Sequence, residues 1–169
     1  MRCALTIAIV LLSAAHAVAA KPHYDIAGEV VAIADGDTLT VLDETKTQHK
    51  IRLAGIDAPE KGQAFGTKSR ENLAAKVFRK IVRIEVIDVD RYHREVGRIY
   101  LGDRFINMEM VRDGFAWRYV QYDKPGEFTA AEKDAREHRR GLWADRDPMP
   151  PWEWRKAKRE ASKARRAAS

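Results

Sequence analysis

The clearest pattern along the chain is a repeated alternation of apolar and polar residues that begins near residue 27. Asp35-Gly36 separates the first two alternating stretches, and an Asp-Gly pair in that position is a strong hairpin signal. Later in the chain, segments with apolar residues at helical spacing lie between the alternating stretches or after them. We predict strands at residues 29–34, 38–42, 49–56, 82–90 and 96–101, an extended segment at 115–122, and helices at 67–80, 106–112 and 127–140.

This order of elements predicts the fold class. Three consecutive antiparallel strands, a helix and two further strands are the order of a five-stranded Greek-key barrel, the OB-fold. The class is therefore α+β and mainly β, with about three helices packed around the barrel. We place this domain at residues 26–145.

The first 20 residues differ from the rest of the chain. Arg2 is followed by an apolar run and then by small residues that end at Ala19 and Ala20, as in a secretory signal peptide. Cleavage near Ala19 or Ala20 predicts a secreted or periplasmic protein without stable membrane association. An uncleaved anchor is the alternative, because residues 3–20 carry no charge and reach the lower length limit for a membrane span.

Charge and cysteine content narrow the function classes. The single cysteine, Cys3, lies in the leader, so disulfides cannot stabilise the exported domain. The formal net charge of +6 suggests a polyanionic partner, either nucleic acid, anionic lipid or a cell-wall polymer. Residues 148–169 form a proline-rich and then basic tail, for which a phosphate-binding helix and a disordered segment are both open.

Four carboxylates lie near the ends of strands that are predicted to be neighbours: Asp35, Asp37, Asp57 and Glu60. Carboxylates repel one another when they are brought together, and oxygen ligands favour Ca²⁺ or Mg²⁺. Each of them also has a structural interpretation, and Asp35 before glycine is most often a turn former. Arg52 lies among apolar neighbours, where its guanidinium needs either a carboxylate in an ion pair or a phosphate.

Three segments together carry a resemblance to a known family. They are residues 35–38 (Asp-Gly-Asp-Thr), 52–60 (Arg-Leu-Ala-Gly-Ile-Asp-Ala-Pro-Glu) and 90–94 (Asp-Arg-Tyr-His-Arg). In this order and at these separations they resemble the staphylococcal nuclease (thermonuclease) family over about residues 27–143. The resemblance implies an OB-fold enzyme that uses Ca²⁺ to hydrolyse phosphodiester bonds of DNA and RNA and leaves 3′-phosphate ends. We expect single-stranded or frayed substrates and a monomer.

The resemblance also implies roles for individual residues. Asp37 and Asp57 would be side-chain ligands of Ca²⁺, with the backbone carbonyl of Ala58 as a third ligand and Asp35 outside them. Glu60 would activate the attacking water, and Arg52 and Arg94 would bind the scissile phosphate. The substrate would also meet Tyr92, Tyr119 and Tyr122.

The second arginine has unusual neighbours for this family. His93 stands where a small residue is common, and Glu95 is placed to compete for the guanidinium of Arg94. Arg98 is a nearby alternative to Arg94.

The sequence is also compatible with two other functions. A non-catalytic OB-fold protein would bind nucleic acid without cleaving it, because this fold binds oligonucleotides in many settings. A protein that retained its leader as an anchor would bind anionic polymers at a cell surface.

Overall fold

The computed structural model describes residues 22–120 and 126–167. The predicted signal peptide and Tyr122 lie outside these residues. The strands are β1 (Tyr24–Ile33), β2 (Thr38–Asp43), β3 (Gln48–Leu53), β4 (Ile56–Asp57), β5 (Ile81–Val89), β6 (Glu95–Leu101), β7 (Arg104–Phe105) and β8 (Trp117–Arg118). The helices are α1 (Gly66–Val77), α2 (Ile106–Arg112), α3 (Thr129–Glu137) and α4 (Pro151–Ala167), with a 3-10 turn at Gly141–Ala144.

Five strands close into a barrel. The sheet order is β3-β2-β1-β5-β6-β7 with antiparallel neighbours, and β3 also pairs with β6 in parallel. This parallel seam joins the two ends of the sheet, so none of the five long strands is left as an open edge. The predicted α+β, mainly β, OB-fold class is confirmed.

Two residues allow the seam and the helices to pack closely. Gly97 of β6 lies against the core, and a Cβ at this position would be only 2.5 Å from Ile84 Cγ2. The buried side chain of Asn107 on α2 accepts a hydrogen bond from the Ile99 amide and donates to the carbonyls of Ala54 and Gly97. One amide side chain therefore ties α2 to β6 and to the segment between β3 and β4.

The apolar face predicted by the alternation lies inside the barrel. Fully buried residues from every long strand pack together with residues of α1 and α2, among them Val30, Leu39, Ile51, Leu73, Ile84, Ile99 and Met110. A second, smaller cluster lies at one end of the barrel, where Trp117 packs edge-on against Trp143 and Trp152. Trp152 brings the start of α4 onto this cluster.

Several predicted bounds need correction. The helix predicted at 67–80 covers Gly66–Val77, and the one predicted at 127–140 covers Thr129–Glu137. Only Trp117–Arg118 of the segment predicted to be extended over 115–122 is a strand among the described residues. The basic tail forms α4, so its helical alternative is the correct one over Pro151–Ala167.

Within the described residues, we find no helix with the length and apolar character needed to cross a membrane.

Candidate active site

Two buried carboxylates form the centre of the candidate site. Asp37 directly precedes β2 and Asp57 ends β4, and their exposed fractions are 5% and 1%. The backbone amide of Ala58 donates a hydrogen bond of 2.6 Å to Asp37 Oδ2, which fixes the two segments side by side. Asp35 supports this turn from outside, because its carboxylate accepts the backbone amide of Asp37 at 3.0 Å.

Arg52 bridges the two carboxylates. Its guanidinium lies 3.1 Å from Asp37 Oδ2 and 3.0 Å from Asp57 Oδ1. Burial raises the pKa of Asp37 to about 6, although the charge of Arg52 acts in the opposite direction. Burial also raises the pKa of the Asp57 carboxyl, against the effect of hydrogen bonds from Arg155. Arg52 therefore forms the ion pair that is one of its two interpretations. The pair places its planar guanidinium directly beside both carboxylates.

Arg94 reaches the same place through a hydroxyl group. Its Nη1 donates to Thr38 Oγ1 at 3.4 Å, and this hydroxyl donates to Asp37 Oδ1 at 3.1 Å. Asp90 holds Arg94 in position, since its carboxylate accepts the backbone amide and Nε of Arg94 at 3.0 and 2.7 Å. Burial alone would raise the pKa of Asp90, but these hydrogen bonds hold it below its ordinary value.

The prediction that Glu95 competes for Arg94 is wrong. The carboxylate of Glu95 pairs with His49 at 3.1 Å and accepts the Tyr24 hydroxyl at 2.9 Å. His93 has a φ of 59°, which belongs to the tight turn between β5 and β6. Arg98, the alternative to Arg94, pairs with Glu127 at 2.7 Å, whereas Arg94 is the arginine that the hydroxyl of Thr38 links to Asp37.

Glu60 lies at the edge of the site and is half-buried. Its carboxylate accepts a hydrogen bond of 2.7 Å from Arg155 Nη1, and the same nitrogen is 3.1 Å from Asp57 Oδ1. Arg155 Nη2 also lies 2.7 Å from Asp57 Oδ2. The hydrogen bonds to Asp57 and Glu60 raise the pKa of Arg155 further above its ordinary value.

Sequence reasoning missed Arg155 as part of this site. It is one of several basic residues in α4 and lies about a hundred residues from its two partners along the chain. Helical spacing in residues 151–167 was a signal for the helix. No local signal distinguishes Arg155 from its basic neighbours, because only the docking of α4 selects it.

The predicted substrate tyrosines occupy different positions. Tyr92 is 63% exposed, and the guanidinium groups of Arg91 and Arg94 lie over its ring at 4.9 and 5.6 Å. It is therefore at the rim of the site. Tyr119 stacks on Trp152 of α4 with a centroid distance of 6.0 Å.

The donor set at the centre fits a hard cation. Asp37 and Asp57 are buried carboxylates with raised pKa values that share one guanidinium, and Ala58 is hydrogen-bonded beside them. Among residues 22–120 and 126–167, no three Asp, Glu, His or Cys side chains converge as a ready metal-binding group. The arginines compensate the carboxylates in this arrangement, and the oxygen donors are of the type that Ca²⁺ prefers.

Comparison with known proteins gives the family. Residues 50–145 match a family described as "Staphylococcal nuclease homologue". The chain is 44% identical to "Micrococcal nuclease" of Shigella flexneri over 149 residues, which cover 82% of this chain and 85% of that protein. It is 46% identical to an "Uncharacterized endonuclease" of Haemophilus influenzae over 75% of this chain and 71% of that protein. A further "Uncharacterized endonuclease", from Escherichia coli O157:H7, is 44% identical over 79% of this chain and 88% of its own length. The chain therefore belongs to the family of staphylococcal nuclease homologues.

Proposed function

We propose that this protein is an exported, Ca²⁺-dependent nuclease that hydrolyses phosphodiester bonds of DNA and RNA. It is a hydrolase of the endonuclease type, in line with its family and with the names of its relatives. The observation that carries the proposal is the meeting of Asp37, Asp57 and Arg52, with Arg94 one hydroxyl group away and Glu60 at the edge.

Asp37 and Asp57, together with the carbonyl of Ala58, would hold the cation. A bound divalent cation supplies positive charge that stabilises the negative charge developing on the phosphoryl oxygens. Arg52 and Arg94 offer planar guanidinium groups to the same oxygens, and such groups bind phosphate in a bidentate manner. Preorganised charge of this kind is usually the largest contribution to catalysis.

Glu60 is the proposed general base. Its carboxylate is half-buried at the mouth of the site and accepts the proton of the attacking water as the new oxygen–phosphorus bond forms. The bond from phosphorus to the 5′ oxygen then breaks, that oxygen takes up a proton, and the phosphate stays on the 3′ oxygen. In the present arrangement Arg155 donates to Glu60 Oε1, so the proton of the water would go to Oε2 unless Arg155 releases Oε1.

The first experiment replaces Glu60 by Gln. Glu60→Gln keeps the shape of the side chain and removes the base, so we expect the rate on denatured DNA to fall by about 10²–10⁴-fold. Glu71→Gln on the exposed face of α1 is the matched control and should keep the wild-type rate. Both proteins are assayed with Ca²⁺ and with a chelator.

The same assay separates the alternatives. Loss of cleavage in chelator supports the cation requirement, whereas equal cleavage with and without chelator would contradict it. An oligonucleotide that is bound but never shortened under any condition would point instead to a non-catalytic OB-fold binding protein. Matched DNA and RNA substrates in the assay test the proposed breadth of specificity.

A further inference from the structure

Helix α4 lies outside the part of the chain that matches the family model. The family match covers residues 50–145, and α4 begins at Pro151. The helix carries seven Lys or Arg residues and two Glu residues, which makes it strongly positive. Its large apolar side chains, Trp152 and Trp154, are confined to the first turn.

The start of α4 is fixed against the candidate site. Trp152 packs on Trp117 and Tyr119, with ring centroids 5.7 and 6.0 Å apart. One turn later Arg155 reaches Asp57 and Glu60. These contacts fix the direction of the helix, so the residues that follow Arg155 on the same face lead away from the site.

That face lines a groove of about 420 Å³ that begins at Glu60. Lys61 lies on one side of the groove, and Arg155, Lys158 and Arg159 lie on the other side with Ser162. The ion pairs found among the described residues do not include Lys61, Lys158 or Arg159. These cations therefore differ from Arg155, whose charge is already compensated by the acids.

The groove suits a nucleic-acid strand. Residues 155, 158, 159, 162 and 166 recur at helical spacing, so Arg166 extends the groove-lining face by one turn. At 1.5 Å per residue this face is about 16 Å long, enough for several consecutive phosphates. Trp154, which also lines the groove, adds an indole surface on which a base can stack. A lipid surface is a poorer match, because only alanines interrupt the polar residues beyond Trp154 and the helix has no apolar face to insert into a bilayer.

We propose that the face of α4 formed by Lys158, Arg159 and Arg166, together with Lys61, binds the substrate strand beside the scissile bond. This inference rests on the proposed nuclease function and extends its binding site beyond the barrel. Lys158 and Arg159 contact phosphates at successive positions of the strand. Arg155 connects this face of α4 to the carboxylates of Asp57 and Glu60.

The test measures binding of a fluorescently labelled single-stranded 16-nucleotide DNA to the full chain by anisotropy, in chelator so that no hydrolysis occurs. The double variant Lys158→Ala, Arg159→Ala should bind about tenfold more weakly. Its plot of log affinity against log salt should become less steep by about 1.4, which corresponds to two lost phosphate contacts on a single strand. Alanine favours helix and both side chains are exposed, so circular dichroism should match the wild type.

The control is a double variant with the same loss of charge elsewhere. Arg83→Ala with Lys133→Ala removes two exposed cations, on β5 and α3, that are not in the groove. If both double variants lost the same affinity for the oligonucleotide, the proposal would be overturned, because the loss would be a general effect of net charge. Binding to phosphatidylserine vesicles that depends on Lys158 and Arg159, with oligonucleotide binding unchanged, would also overturn it in favour of a lipid surface.

Hydrolysis is measured on the same proteins. The α4 double variant should show a raised KM on long DNA with kcat within about twofold of the wild type. If the wild type cleaves DNA and the α4 variant binds it normally, this inference fails and the nuclease function stands. If the wild type binds through α4 without cleaving, the nuclease function fails.

Discussion

At the residue scale, Arg155 is the side chain whose role the structure changes most. It donates to Asp57 and Glu60 and so compensates charge where the proposed cation would bind. Arg155→Ala removes a positive charge in direct contact with these carboxylates. We therefore expect Ca²⁺ affinity to rise about tenfold, since nearby unit charges interact by a kilocalorie or more even near a protein surface. Isothermal titration calorimetry measures this without substrate.

The neighbouring Lys156→Ala serves as the control for this prediction. Lys156 is exposed on the next position of α4, so the variant loses the same charge without touching the acids. Its Ca²⁺ affinity should stay within about twofold of the wild type. An unchanged or weaker affinity in Arg155→Ala would show that Arg155 does not compete with the cation.

At the element scale, His49 joins three strands at the seam of the barrel. From β3 it contacts Asp43 of β2 at 3.2 Å and Glu95 of β6 at 3.1 Å, and Tyr24 of β1 donates to the same Glu95. Burial alone lowers the pKa of His49, but the hydrogen bonds to Asp43 and Glu95 outweigh it and raise the pKa above its usual 6.5. The protonated imidazole is therefore favoured in the folded state.

This geometry predicts a pH dependence of stability. Because the folded-state pKa is raised, the contribution of His49 is fully present below pH 6.5 and is lost as the pH rises through the folded-state value. We expect the free energy of unfolding to fall above pH 6.5 in the wild type. In His49→Gln it should be lower by about 1.5 kcal/mol at pH 5.5, the contribution of a hydrogen bond to a charged group, and should fall less at higher pH.

Urea unfolding between pH 5.5 and 8.5 tests this prediction. His23→Gln is the control, because His23 has a side chain that is 69% exposed and lies 3.9 Å from its nearest carboxylate. Its stability should follow the wild-type dependence on pH. If the free energy of unfolding of His49→Gln fell with pH as steeply as that of the wild type, the stability of the seam would not depend on a charged histidine.

At the scale of the whole molecule, folding does not depend on disulfides. The sequence holds a single cysteine, Cys3, which cannot form a disulfide within the chain, so the domain relies on the barrel core and on its ion pairs. We expect protein isolated from its own cell to begin at Ala20 or Lys21 and to have the same melting temperature with and without reductant. N-terminal sequencing and calorimetry check this, and an N-terminus at Met1 would favour the anchored alternative.

Much of the fold was determined by local sequence. Asp35-Gly36 between two alternating stretches predicted the first hairpin, and β1 and β2 pair across it. The alternation predicted which residues enter the barrel, since successive side chains of a strand point to opposite faces. The strand pattern singled out the carboxylates and Arg52, and the resemblance of three short segments added Arg94 and the individual roles. The structure brings Asp37, Asp57 and Arg52 into contact.

Tertiary structure alone decided which charges are partners. Glu95 is adjacent to Arg94 in sequence but pairs with His49, because the parallel seam places β3 beside β6. Arg155 reaches Asp57 and Glu60 because Trp152 docks α4 on the tryptophan cluster. Local pattern determines strands and helices through side-chain periodicity, whereas ion pairs between distant segments depend on how those elements pack.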